Sequence, residues 1–127
     1  MGDKLSFVKY EKELVHRYRE ALNEAKRIND VANVFIDTIF KLFKLILPDL
    51  PENYIEYIGF APETERKYLF EGELKDILKE YFEKSDLESI VGKFAEMAYN
   101  RYKHLEHDKE HKNSFDVFRK AVKWARR

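Results

Sequence analysis

The sequence predicts a mainly α-helical protein, a single-domain bundle of four or five helices with one short β-hairpin around residues 54–71. Three observations carry that expectation. Apolar side chains recur at helical spacing, beginning with Phe7, Leu14, Ala21 and Ile28 seven apart and Tyr18 and Ala25 between them. The three prolines, Pro48, Pro51 and Pro62, gather with Gly59 in one stretch, so most of the chain outside it is free of helix breakers. The composition is 44% hydrophobic and 38% charged over 127 residues, which suits one packed core under a surface of Lys, Arg, Glu and Asp.

Taken in order, residues 7–28 read as a long amphipathic helix with a coiled-coil-like seam. A second helix is expected to start at Asn29 or Asp30 as N-cap and to stop before Pro48. Its Asn33, Asp37, Lys41 and Lys44 project into one narrow polar stripe, and nearly every other position is apolar, so it must be covered on most sides. After Pro51 the segments "NYIEYIGFA" and "RKYLFEG" flank "PETE" and are rich in aromatics, which suits a hairpin; a single helical turn after Pro51 competes with it. "GELKDILKEYFEK" sets Leu74, Ile77, Leu78 and Tyr81 on one helical face. "SDLE" at 85–88 has capping-box spacing and opens a helix with Leu87, Ile90, Val91, Phe94, Met97, Ala98 and Leu105 inward. Ser114 can cap a last helix, "FDVFRKAVKWARR".

Composition excludes several chemistries. Without cysteine there are no disulfides, thiolate metal sites or cysteine nucleophiles. The four glycines are isolated, so no phosphate-cradling loop or nucleophile elbow is present. The most apolar segment, residues 31–47, carries Asp37, Lys41 and Lys44 and is short for a membrane span. With no secretory leader evident, the expected location is the cytoplasm, away from membranes. The richness in Lys and Glu resembles the small uncharacterised helical proteins of hyperthermophilic archaea of the Thermococcus and Pyrococcus kind, which implies a thermophile.

Formal charge is zero in total and uneven along the chain, acidic in residues 51–100 and basic in residues 101–127. A neutral total disfavours broad nucleic-acid binding, although a local basic face can still hold phosphate. On the last predicted helix Arg119, Lys120, Lys123, Arg126 and Arg127 form such a face opposite an apolar half that includes Trp124. These cations could meet RNA phosphate or an anionic surface, but more simply they suit a helix C-terminus.

The stretch "YNRYKHLEHDKEH", residues 99–111, holds three of the four histidines. His107 and His111, four apart on a helix, can point at one metal ion, and "HDKEH" matches the H-x-x-E-H arrangement of inverzincin proteases. His104 would stand about 10 Å from His111 along a straight helix, so a closed ligand set needs a second chain and no bound metal or other cofactor is expected. Arg101 is followed by His107 with five residues between. This resembles part of the motif of the HEPN family, small helical domains in which an Arg, usually followed by Asn, Asp or His, precedes a His; here Tyr102 follows the Arg. The resemblance covers this one segment and implies a ribonuclease or RNA-binding module. Arg101 would grip a phosphate with its planar fork, and His104 or His107 would act as base or acid in attack by a 2′-hydroxyl. Arg101 also projects between Met97 and Leu105, on the apolar side of its helix, where an arginine needs a reason.

The simpler reading makes the three histidines a solvated helix edge beside Lys103, Glu106, Asp108, Lys109, Glu110 and Lys112. On that reading the protein is non-enzymatic and acts through self-association or a protein partner. A homodimer is expected because Phe35, Phe40, Phe43 and Leu47, exposed together, would make a larger apolar patch than soluble monomers tolerate. The acidic middle and basic end could then meet reciprocally across a twofold axis.

Overall fold

The structure is a computed structural model, and it describes residues 5–108. Among them are four α-helices, α1 (Val8–Glu24), α2 (Ile28–Ile46), α3 (Gly72–Lys84) and α4 (Leu87–Asp108). Between α2 and α3 come a 3-10 helix at Glu52–Tyr57 and an antiparallel hairpin of β1 (Ile58–Ala61) and β2 (Lys67–Phe70). The expected helical bundle with a small hairpin is therefore what forms, and both competing readings of the segment after Pro51 occur, in succession. No helix of the described residues is long and apolar enough to cross a membrane.

Helix α2 is the axis of the core. It packs against α1, α4, β1 and the 3-10 helix at once. Its aromatic residues meet the hairpin, with ring centroids 5.6 Å apart for Phe35 and Phe60 and 5.5 Å for Phe43 and Phe70. Phe35 and Phe43 are fully buried, Phe40 is 8% exposed and Leu47 is half-buried. The apolar surface that suggested a second chain is thus covered inside one chain, and α2 gives no argument for a dimer. The polar stripe lies where the wheel places it, with Asp37 and Lys41 exposed. Lys44 turns to the end of its own helix, donating to the carbonyls of Pro48 (3.1 Å) and Leu50 (2.9 Å) and pairing with Glu52 at 3.1 Å.

The break between α1 and α2 falls earlier than apolar periodicity indicates, because Ala25 and Ile28 keep the heptad spacing while the backbone leaves the helix. Two polar groups explain this. The Asp30 carboxylate accepts the backbone N–H groups of Arg27 (3.2 Å) and Lys26 (3.3 Å), satisfying donors at the start of α2. The Arg101 guanidinium takes the carbonyls that α1 leaves open at its other boundary.

Helix α4 likewise starts one residue later than the capping-box reading. Asp86 is the N-cap, its carbonyl accepting the N–H of Ile90 at 3.1 Å. Ser85 stands just outside, donating to the Tyr81 carbonyl at the end of α3 and accepting the N–H of Leu87. Glu88, the expected partner of Ser85, instead lies 3.8 Å from Arg66. The Asp86 side chain holds the start of the described chain, accepting from the Phe7 N–H (2.9 Å) and the Ser6 hydroxyl (2.8 Å). Two backbone bonds complete this clasp, Leu5 N–H to the Lys84 carbonyl and Asp86 N–H to the Leu5 carbonyl.

Three hydrogen-bonded joints run along α1, α4 and their caps, Phe7 to Asp86, Tyr18 to Phe94, and Asn23 with Ala25 to Arg101, beside an ion pair of Glu11 with Lys93 at 3.6 Å. Both partners advance together along the chain, so α1 and α4 are parallel. In the middle contact the buried Tyr18 hydroxyl donates to the Phe94 carbonyl, and burial pushes its pKa well up.

Within the hairpin Ile58 lies opposite Phe70 and Phe60 opposite Tyr68. The Glu71 N–H donates to the Tyr57 carbonyl at 2.9 Å. In an antiparallel ladder hydrogen-bonded pairs alternate with open ones, so this bond sets the phase. Bonded pairs fall at 57 with 71 and 59 with 69, and the N–H and C=O of Tyr68 and Phe70 point away from β1. Neither residue has another backbone partner among the described residues, which leaves β2 with an open edge.

Candidate functional site

Helix α4 carries Arg101, His104 and His107 on its last two turns, and its apolar face decides where each points. Tyr102 is buried, its ring 6.2 Å from Phe60 and 5.9 Å from Tyr99, and its hydroxyl donates to Glu106 at 3.3 Å. Burial first, and the Glu106 carboxylate second, push its pKa up. With Tyr102 in the core, Arg101 is turned toward α1. One of its terminal nitrogens donates to the carbonyls of Asn23 (3.1 Å) and Ala25 (2.8 Å), and its Nε is buried with no hydrogen-bond partner among the described residues. The arginine on the apolar side of its helix is therefore a cap, a cation at the negative end of the α1 dipole bonded to carbonyls that would otherwise be open.

His104 and His107 are both exposed. On one continuous α-helix His107 stands about 9 Å beyond Arg101 and about 120° round the axis, so the helix itself does not aim the two at a common point. His111 and the basic face of Arg119, Lys120, Lys123, Arg126 and Arg127 lie outside the described residues. No group of three His, Cys, Asp or Glu side chains among the described residues could hold a metal ion. Chelator is accordingly expected to leave the melting temperature of the full chain unchanged. A fall of several degrees with EDTA, reversed by zinc, would reveal a site that His107 and His111 complete with another chain.

Sequence periodicity does not single out the surface that the fold builds between β2 and α3. Helix α3 leaves β2 through Gly72 and runs back beside it, since Glu88, just past the end of α3, reaches Arg66 at the start of β2. The two elements enclose a groove of about 380 Å³. Tyr68, Phe70, Leu78 and Phe82 form its apolar lining, with the rings of Phe70 and Phe82 edge-on at 6.2 Å. Lys75, Asp76, Lys79 and Glu83 rim it from α3, and none of these four has an ion-pair partner among the described residues. One wall is the open edge of β2. The legible signal for it was the charge bracket around an apolar triplet in "RKYLFE", residues 66–71, once that segment is read as a strand.

A wider groove of about 570 Å³ lies over Leu14, Phe40, Leu45 and Ile55, between α1, α2 and the 3-10 helix. Its walls are helical and present no backbone edge. No family model, curated protein or solved structure matches this chain.

Proposed function

We propose that this chain is a non-catalytic interaction module that works by self-association. The observation that carries the reading is the open edge of β2 beside an apolar groove. Unpaired backbone donors and acceptors in a row are a template for another strand, and proteins that do not use such an edge cover, shorten or twist it away. The state of Arg101 supports the same reading, since the side chain that the HEPN resemblance assigns to phosphate is bonded to two carbonyls of its own chain.

Two measurements test it. Light scattering on the full chain at micromolar concentration is expected to give a mass above 15.4 kDa. Incubation with mixed RNA is expected to leave it uncut beyond background hydrolysis. Arg101→Met should lower stability by about 1.5–3 kcal/mol, the usual worth of hydrogen bonds to a charged group, with no effect on RNA. Cleavage that disappears in His107→Ala or Arg101→Met while the fold persists would overturn the reading in favour of a ribonuclease using Arg101, His104 and His107.

A further inference from the structure

We infer that the trough between α1 and α2 is the docking site of this chain's own residues 115–127, seated in it antiparallel to α1. The trough is a different face from the β2 edge, so the inference stands or falls apart from self-association.

The trough is long and continuous. Its narrow part, about 220 Å³, runs between Leu14 and Ala21 of α1 and Val34 and Lys41 of α2. Leu14, Asp37 and Lys41 also line the groove of about 570 Å³ that continues over Phe40 and Leu45 to Ile55, so the two parts form one channel. No residue of α3, α4 or the hairpin lines either part. Leu14, Ala21, Val34 and Leu45 are left half-buried along it. The seam that spacing marks on α1 at Phe7, Leu14 and Ala21 is thus only half covered, while Tyr18 and Leu22 take the full burial. Apolar stripes left on two adjacent helices are what a further helix covers in a bundle.

Chain path, length and charge name the occupant. Arg101 bonds Asn23 and Ala25, so α4 runs out past the Ala21 end of the trough. Six residues, 109–114, come between α4 and Phe115. Extended, they reach about 20 Å, roughly the width of two helices. A segment returning from there runs toward Leu14 and Lys41. Residues 115–127 lie outside the described residues, and helical spacing sets their Phe115, Phe118, Ala121, Val122 and Ala125 on one face. As a helix they would be about 20 Å long. Phe118 and Ala125 are seven apart, as are Ala21 and Leu14, so the antiparallel fit brings Phe118 to Ala21 and Ala125 to Leu14. Charge agrees with it. Residues 109–127 carry seven basic and two acidic side chains, against seventeen basic and twenty-two acidic in residues 1–108. Glu13, at the Leu14 end where Arg126 and Arg127 would arrive, has no ion-pair partner among the described residues.

Two properties of the sequence make the test clean on the full chain: Trp124 is the only tryptophan, and there is no cysteine. Wild-type Trp124 emission is expected to be blue-shifted from that of the urea-unfolded chain and several-fold less quenched by acrylamide. Ala21→Lys with Val34→Lys should return both to the unfolded values while circular dichroism shows α1 and α2 intact. A second measurement does not depend on those variants folding. Leu14→Cys with Ala125→Cys should oxidise to a disulfide within one chain, whereas Ala21→Cys with Ala125→Cys, about 10 Å out of register, should not. An exposed Trp124 in the wild type would overturn the inference, and so would a shielded Trp124 indifferent to the two lysines in a folded chain. Equal oxidation of both cysteine pairs, or disulfides formed only between chains, would overturn it as well. Light scattering on the same samples reads self-association separately, so either reading can fail without the other.

Discussion

Replacing Phe43 by glutamate is expected to unfold the chain instead of separating two copies of it. Phe43 has no exposed surface and packs on Phe70 of the hairpin. Removing a buried phenylalanine costs about 3–5 kcal/mol. The carboxylate adds several more, since burial either leaves it charged without a partner or forces it to take up a proton. Set against a typical stability of about 5–15 kcal/mol, the sum leaves little or no folded population at neutral pH. Loss of the cooperative melt and of helical circular dichroism is the expected outcome. A variant that keeps its helix content and melts cooperatively, with only its mass halved, would show instead that α2 lies at a subunit boundary.

Gly72→Ala should also be destabilising, though less so, and for a different reason. Gly72 opens α3 at φ +61°, a conformation that costs an L-residue about 1–2 kcal/mol. A Cβ there would also stand 2.7 Å from two ring carbons of Tyr57. That ring lies 5.2 Å from Tyr54, whose hydroxyl donates to Glu73 on the first turn of α3, so it has neighbours that resist its moving aside. Overpacking of this kind adds about 1–3 kcal/mol. The two contributions can be separated by chemical denaturation. Gly72→Asn should lose less than alanine, because asparagine tolerates the left-handed region, and Tyr57→Ala should recover part of the loss in the alanine background. Equal stability of Gly72→Ala and wild type would refute the strained entry to α3.

Element types were legible because apolar spacing follows helical faces: Leu74 and Leu78, or Ile90, Val91, Phe94 and Ala98, are buried where the wheel turns them inward. The boundaries were less so. They depend on which polar group captures which backbone group, and Asp86, Asp30 and Arg101 act on partners that spacing along one helix does not reveal. Arg101 shows the limit most clearly. Its position on an apolar face was readable as unusual, but its partners, Asn23 and Ala25, lie more than seventy residues earlier. The groove was hidden for a different reason: its residues are close in sequence, but it exists only because α3 folds back beside β2, which spacing along either element does not reveal. The excess of apolar residues in α2 was also plain, while its explanation needed the hairpin. Phe60 and Phe70 supply from within the chain the cover that composition alone assigned to a second copy.

The parallel seam between α1 and α4 has a bearing on the order of folding. Its joints at Asp86, Phe94 and Arg101 each connect residues 76 to 79 apart, whereas the α1–α2 turn and the hairpin close over a few residues. Closing a loop of that length costs on the order of 4 kcal/mol in chain entropy before any contact offsets it, so the seam forms after the local pairs. Substitutions along it, at Asp86 or Arg101, therefore act mainly on the rate of unfolding and leave the rate of folding almost unchanged. Among the described elements the α1–α4 seam is accordingly expected to close last.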